Sequence, residues 1–289
     1  MANLKEVKTR INSVISTQQI TKAMKMVAAA KLRRAQDSIL QMRPYAAKLG
    51  EVLANVSAGL EQDQNVYGAP REVNRVLLVV ISSDRGLCGP FNSNVFKLAV
   101  EHISKNYAAH QQAGDLQIMP VGKKSLEFFR KRGYHVIDQY AGLFSQLSFD
   151  NVRKAAEFVM KNYAEGQFDR VDLVYNTFKN VATQILTVEQ YLPVKIEAGE
   201  EDMNLDYIYQ PDQETLIKEL IPKSLKVQFY KAILESNAAE HGARMTAMDK
   251  ATENADELLR DLRLTYNQTR QAAITKEILE IVAGAEALG

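Results

Sequence analysis

Tryptophan is absent from this chain of 289 residues, and cysteine occurs only once, as Cys88. A single cysteine excludes an internal disulfide framework and a cysteine-rich zinc site. Proline is also rare, with seven residues, and none of them follows Pro222. The longest unbroken apolar run, Val76–Ile81, is far too short to cross a bilayer, and the first residues lack the apolar stretch of a signal peptide. We therefore expect a soluble chain kept in a reducing compartment.

Charge is nearly balanced over the whole chain, and the net value of +1 gives no global preference for nucleic acid or an anionic membrane. The two ends differ, however. Residues 1–60 carry ten basic and three acidic residues, whereas residues 209–289 carry ten basic and thirteen acidic ones. This opposite bias favours pairing of the two ends in an antiparallel coiled coil.

Both ends have the spacing of long amphipathic helices, from about Ala2 to Ala58 and from about Lys223 to Leu288. Helices of this length extend roughly 85–100 Å and usually bear load, set a spacing or transmit movement. Apolar or small residues recur every three or four positions in the first arm: Leu4, Val7, Ile11, Val14, Ala28, Leu32, Ala35, Ile39, Met42, Ala46, Leu49, Leu53, Val56 and Leu60. The second arm repeats the pattern in two stripes, Met245–Ala273 and Ile274–Leu288.

The seam of the first arm is interrupted by polar residues at Gln18, Thr21 and Lys25, while Met24 and Val27 move to another face. We interpret this as a slip of one phase, where the helix stands alone or meets a different partner. A proline inside the same arm, Pro44, predicts a kink or a change of neighbour.

Between the arms the period changes to that of strands alternating with helices. The pattern predicts strands and helices over 75–82 (strand), 93–107 (helix), 116–121 (strand), 123–132 (helix), 135–138 (strand), 151–163 (helix), 171–178 (strand) and 183–191 (antiparallel strand). The predicted fold class is α/β: a long antiparallel coiled coil of the terminal helices plus a central Rossmann-like α/β domain with a mostly parallel sheet. The predicted domains are residues 1–60, 61–208 and 209–289.

The Gly-rich turn after the first strand, Ser82–Asn92, is where an α/β enzyme would place its chemistry. Cys88 could be a nucleophile there, but none of the four histidines has the motif context of a base. The chain has no G-x-x-x-x-G-K-[ST] phosphate loop, and His241 beside Glu240 is too little for a metal site. We favour a structural turn, in which Asp84 and Arg85 cap the turn or bind each other, and predict no catalytic, cofactor or metal site.

Three stretches resemble one known family. They are Ser16–Leu32 (STQQITKAMKMVAAAKL), Ser83–Gly89 (SDRGLCG) and Ile274–Ala285 (ITKEILEIVAGA). The chain is similar to the gamma subunit of F-type ATP synthases, of which the last stretch is the signature pattern. The resemblance covers essentially the whole chain, including the order of arm, domain and arm.

The resemblance implies a rotor rather than an enzyme. In the family, the two arms turn inside a ring of three alpha and three beta subunits, and the α/β domain docks on the c-ring together with the epsilon subunit. Proton-driven rotation of the c-ring then changes the nucleotide affinity of the beta subunits, where catalysis takes place. The implied location is the cytoplasmic face of a bacterial plasma membrane, peripheral and in contact with the membrane only through the c-ring, with no nucleic-acid partner.

The resemblance also implies which residues meet these partners. Contacts with the ring of alpha and beta subunits are expected from Lys22, Met24, Lys25, Lys31, Arg33, Arg34, Arg244, Arg270, Gln271, Thr275, Glu277 and Glu280. The contact with the c-ring is expected from Tyr207, Tyr209 and Gln210.

Two other interpretations remain open from the residues alone. The chain could be a passive coiled-coil scaffold or tether, because heptad spacing says nothing of movement. It could also be an α/β enzyme that depends on Cys88.

Overall fold

A computed structural model describes residues 4–57, 66–69, 71–194 and 213–286. Internal contacts divide the chain into two units: residues 1–28 with 245–289 form unit 1, and residues 29–244 form unit 2. The predicted domain boundaries, after residues 60 and 208, fall outside the described residues. Within the part of the chain that the structure describes, no helix combines the length and the apolarity that a membrane span requires.

Two very long helices begin and end the chain, as predicted. Helix α1 spans Leu4–Ser57 and helix α6 spans Gln213–Glu286. Helix α6 begins ten residues before the predicted start at about Lys223, so Pro222 lies inside the helix. A proline inside a helix costs about 3 kcal/mol. Ile221 and Leu225, on either side of the proline, are 0% and 2% exposed, and such burial offsets that cost.

The segment between the long helices alternates strands and shorter helices close to the predicted positions. They are β1 (Val76–Ile81), α2 (Phe91–Asn106), α3 (Ala108–Ala113), β2 (Leu116–Val121), α4 (Lys123–Lys131), β3 (His135–Val136), α5 (Phe149–Ala164), β4 (Arg170–Phe178) and β5 (Gln184–Leu192). Strand β3 is shorter than predicted, because short 3-10 turns follow it at Asp138–Tyr140 and Leu143–Gln146.

The sheet has the strand order β3-β2-β1-β4-β5, with β1, β2, β3 and β4 parallel and β5 antiparallel to β4. All six residues of β1 are buried, as expected of a central parallel strand covered on both faces. The predicted mostly parallel sheet is therefore confirmed. The order of the strands reverses beside β1, which places the turn after β1 at the switch point of the sheet.

Two apolar clusters fill unit 2, one on each face of the sheet. One cluster joins β4 to helices α5 and α6 through side chains such as Leu173, Tyr163 and Phe229. The other joins β1 to helices α2 and α4 through Val80, Val95 and Phe129. These clusters hold the sheet between layers of helix.

Unit 1 is a pair of antiparallel helical segments from α1 and α6. Buried apolar residues at Val7, Met248, Ala255, Leu259 and Leu262 form its seam. As numbers rise along α1, the numbers of their partners fall along α6, which is the direction expected of an antiparallel pair.

The polar interruption of the seam in unit 1 does not break the pairing. Thr21 is 8% exposed, and its hydroxyl lies 2.8 Å from that of Thr252. Gln18 donates to Asp256 and Lys25 pairs with Asp249, one turn away on either side. The interpretation of a phase slip was therefore wrong: polar residues continue the seam because α6 supplies a polar partner for each.

Candidate functional site

The last turns of α6 expose a broad apolar face. Ile274, Ile278, Leu279, Ile281 and Val282 are between 49% and 71% exposed. At about 100° per residue they cover well over a third of the helix circumference. An apolar stripe of this width normally faces a protein core. The described residues of this chain provide no such cover, so the face is suited to contact with another protein.

Charged and polar residues predicted to contact partners lie on the same turns of α6. Arg270, Gln271, Thr275, Glu277 and Glu280 are all exposed. The hydroxyl of Thr275 donates to the carbonyl of Gln271 at 2.9 Å, and Glu280 pairs with Lys276 at 3.5 Å. The structure thus brings these five residues together around the apolar face.

Helix α1 carries a second exposed apolar stripe in unit 1. Ile20 and Val27 are 59% and 57% exposed, and the half-buried Met24 lies between them at helical spacing. Sequence analysis found Met24 and the shift of Val27 but missed Ile20. The sequence does indicate Ile20, because this apolar residue does not fall on the heptad positions that form the seam.

The predicted basic residues of α1 differ in their surroundings. Lys25 already forms an ion pair with Asp249 within unit 1. Lys22 in unit 1, and Lys31, Arg33 and Arg34 in unit 2, are exposed. For these four, the described residues show no acidic side chain within ion-pair distance. They remain available to an acidic partner, whereas Lys25 is held by the chain itself.

Arg244 lies in a different environment from the other predicted contact residues, because its side chain is only 11% exposed. It pairs with Glu240 and donates to the carbonyl oxygens of Arg85 at 2.9 Å and Gly86 at 3.2 Å. The guanidinium therefore holds the turn after β1. Burial raises the pKa of Glu240, although Arg244 opposes this. Burial, with Arg244 and Lys31, lowers the pKa of His241 to about 4.

The turn after β1 is tied together by its own side chains. The Ser83 hydroxyl donates to the carbonyl of Arg85 at 2.6 Å, and Asn92 accepts from the Ser83 amide at 3.0 Å. The amide of Asn92 also lies 3.3 Å from the Cys88 sulfur, which is buried at 1% exposure. Burial raises the pKa of the Cys88 thiol. A buried thiol with a raised pKa is a poor nucleophile.

The structure differs from the prediction at Asp84 and shows a further feature at Leu87. Asp84 neither caps its own turn nor pairs with Arg85; its carboxylate accepts the amide of Lys123 at 3.0 Å and so caps α4. The acceptor is needed there because the first amides of a helix have no partner within the helix. Leu87 has φ 63° and is 66% exposed, a strained and exposed position that sequence analysis missed.

Other candidate groups are not assembled into a site in the described part of the chain. No group of three or more His, Cys, Asp or Glu side chains is placed to hold a metal ion there. His102, at 2.9 Å from Asp172, belongs to a buried cluster with Tyr107 and Arg170. Tyr207, Tyr209 and Gln210, predicted to contact the c-ring, lie outside the described residues.

Comparison with known proteins decides the family. The sequence profile of the ATP synthase family matches residues 3–288. The ATP synthase gamma chain of Cytophaga hutchinsonii is 58% identical, with 100% of this chain and 99% of that protein aligned. The ATP synthase gamma chain of Chlorobaculum parvum is 52% identical, again with 100% of this chain and 99% of that protein aligned. This chain belongs to the ATP synthase gamma chain family.

Solved structures show the same fold as this gamma chain family member. The rotor of the Euglena gracilis mitochondrial ATP synthase is 23% identical, with a TM-score of 0.63, and the match covers 94% of this chain and 98% of that one. A chain from the OSCP, F1 and c-ring assembly of the same enzyme gives a TM-score of 0.65 at 22% identity, covering 99% and 94%. The arrangement of long terminal helices around an α/β domain is therefore that of the family.

Proposed function

We propose that this chain is the central rotor stalk of a bacterial F-type ATP synthase. Its role is to couple rotation of a c-ring, driven by protons, to ATP synthesis and hydrolysis at beta subunits. The chain is not itself catalytic in this proposal. The observation that carries it is the broad exposed apolar face at the end of α6, on a chain whose family is established.

The apolar face at the end of α6 fits a tip that turns inside a ring of three alpha and three beta subunits. Apolar contacts are non-directional, so an apolar sleeve can hold the tip without fixing it at one angle. The surrounding polar residues, from Arg270 to Glu280, supply contacts that differ around the helix. Such asymmetry is needed if one stalk is to treat three sites differently.

The exposed basic residues of α1 fit acidic surfaces on the beta subunits. Lys22, Lys31, Arg33 and Arg34 have no acidic partner among the described residues, and charge attraction tolerates imperfect geometry. Arg244 has a different role in this proposal, because its guanidinium fixes the turn that presents Leu87. We assign Lys25 a smaller part in the attraction to the beta subunits, because its charge is already paired with Asp249.

The remaining partners of the proposed rotor are the c-ring and the epsilon subunit. Residues Tyr207, Tyr209 and Gln210 are the proposed contact with the c-ring. The rotor would reach the membrane only through that ring, on the cytoplasmic face of the plasma membrane.

A rotation experiment tests the proposal. The full chain would be assembled with the alpha and beta subunits of the same organism, with the ring fixed to a surface and a probe on unit 2. Stepwise turning in one direction during ATP hydrolysis is the expected result. A stable complex that hydrolyses ATP without any turning would reduce the chain to a passive tether.

A further inference from the structure

One buried carboxylate joins three elements of unit 2. Glu235 on α6 is 1% exposed and accepts bonds from Arg43 on α1 and from the backbone of β4. Arg43 Nε donates to Glu235 Oε1 at 2.7 Å, and its Nη2 donates to Oε2 at 2.9 Å. The Phe178 amide donates to Oε2 at 3.0 Å. Arg43 Nη2 also donates to the Phe178 carbonyl at 2.8 Å, which closes the network.

The geometry of this network fixes orientation as well as distance. Two parallel bonds between a guanidinium and a carboxylate hold both planes in register. The additional bonds to both backbone groups of Phe178 tie that register to the end of β4. The hydrogen bond with Glu235 raises the pKa of Arg43.

The hairpin of β4 and β5 presses on α6 at a second point nearby. Gly242 lies seven residues after Glu235, on the same face of the helix. A Cβ atom added at Gly242 would lie 3.4 Å from the Phe178 ring and 3.6 Å from the Val181 backbone. The hairpin therefore contacts α6 at Gly242 as well as at Glu235, and Arg43 adds a polar link from α1 to this junction.

Helix α1 also makes apolar contacts in unit 2. Leu53 and Val56 pack into the core cluster beside the sheet. The free energy of apolar burial is non-directional, whereas the paired bonds of Arg43 and Glu235 also fix the orientation of two side-chain planes. A cavity of about 500 Å³ opens beside Arg43, between α1, β4 and α6. The network therefore crosses from α1 to α6 beside an open cleft.

We propose that Arg43 and Glu235 form a three-way clamp that fixes the angle between α1, α6 and the β4–β5 hairpin. The clamp makes turning force applied to the sheet of unit 2 reach both long helices together rather than α6 alone. Arg43 and Glu235 are positioning residues in this scheme, and the inference rests on the proposed rotor function.

The test must separate the positioning role from stability. Arg43→Met alone would leave the Glu235 charge buried without a partner, which is strongly destabilising. The double variant R43M/E235Q avoids this, because the neutral glutamine still accepts from the Phe178 amide. R43K keeps the charge but cannot make the paired bonds. K226Q is the matched control, since Lys226 on α6 forms an ordinary ion pair with Glu157 at 2.8 Å.

Two measurements on each variant complete the test. The first is the melting temperature of the full chain. The second, in the complex assembled with its alpha and beta subunits, is the angular spread of a probe on unit 2 while nucleotide holds the ring at one step. We expect R43M/E235Q and R43K to widen the angular spread, with R43M/E235Q melting close to the wild type. K226Q should leave the angular spread unchanged.

Two outcomes would overturn the inference in different ways. If the R43M/E235Q complex turns with the angular spread of the wild type, the clamp proposal is wrong, but the proposed rotor function is not contradicted. A wild-type complex that hydrolyses ATP without turning would remove both the rotor function and the clamp.

Discussion

The half of helix α6 in unit 2 and its last turns in unit 1, called here the two halves, contain similar residues in opposite surroundings. Ile221, Phe229 and Ile233 are fully buried in unit 2. Ile274, Ile278 and Ile281 in unit 1 are 50% to 71% exposed. Local sequence does not account for the difference, because both halves are helical and rich in isoleucine. What differs is whether this chain supplies the covering surface.

The comparison separates two uses of apolar residues in one helix. In the first half, burial stabilises the fold of the chain by itself. In the last turns, from Ile274 to Val282, the exposed side chains contribute little to folding of the chain alone, and we propose that they contact a surface outside the chain. Substitutions at matched positions should therefore affect stability in one half and assembly in the other.

The largest effect is expected from truncation in the buried half. Phe229→Ala should cost about 3–5 kcal/mol of unfolding free energy, because a fully buried aromatic side chain leaves a cavity. Urea unfolding of the full chain measures this. Ile278→Ala is the matched control and should change the free energy by less than about 0.5 kcal/mol. Equal losses at both positions would show that the second half also stabilises the chain alone.

The contrast between the halves also shows what the sequence could reveal about the fold. Heptad spacing located both long helices, and short apolar runs between turn residues located the strands, because a parallel strand covered on both faces is apolar along most of its length. The start of α6 was missed, since Pro222 is a local signal while Ile221 and Leu225 are held by distant contacts. The polar layer was missed because Thr21 pairs with Thr252, 231 residues away.

The candidate site was predictable to a different extent. Motif resemblance alone indicated residues such as Arg270 and Glu280, and the structure places these on the exposed end of α6. It could not distinguish Arg34, which is exposed, from Lys25 and Arg244, which are engaged within the chain. These interactions join residues that are far apart in the sequence: Lys25 pairs with Asp249, and Arg244 donates to the carbonyl of Arg85. The sequence pattern indicated the exposure of Ile20 and Leu87 only weakly, and the structure was needed to identify these two residues as exposed.

A second prediction assigns pH sensitivity to the buried half of α6. His241 has a pKa of about 4 when folded and about 6.5 when unfolded. As the pH falls from 7 towards 4, His241 is protonated in the unfolded state but remains neutral in the folded state, so the free energy of unfolding decreases. The loss attributable to His241 approaches about 3 kcal/mol at pH 4. Urea unfolding at each pH should show a smaller loss in His241→Gln.

The neighbours of His241 serve as controls for this pH dependence. The raised pKa of Glu240 acts in the opposite direction, because the folded state then takes up a proton first. E240Q should therefore steepen the loss of stability on acidification. Asp172, whose pKa is lowered by bonds from His102 and Tyr107 against the effect of burial, responds at lower pH than this window. A His241→Gln profile that matches the wild type would contradict the assignment.

A third prediction concerns the exposed half of α6 in the assembled complex. Ile278→Asp should hardly change unfolding of the chain alone, because the side chain is 54% exposed. In the complex it would bury an unpaired charge and weaken binding to the ring by about 2 kcal/mol, roughly thirtyfold. Titration of the ring of alpha and beta subunits with labelled chain measures this. Lys276→Gln, two residues earlier and 75% exposed, is the control, because it changes the net charge by the same one unit.

The smallest expected effect comes from a comparison of two of the polar links between α1 and α6. Lys25 and Asp249 in unit 1 are 40% and 45% exposed in their side chains, whereas Glu235 in unit 2 is 2% exposed. A double-mutant cycle of Lys25→Gln and Asp249→Asn should give a coupling of about 0.2–1 kcal/mol, because solvent and salt screen exposed pairs. Raising the salt concentration should reduce it further. The same cycle at Arg43 and Glu235 should give a larger coupling with less salt dependence, since one partner is buried. Equal couplings would mean that burial of Glu235 adds nothing to the link, and the difference between the two units would then rest on apolar contacts alone.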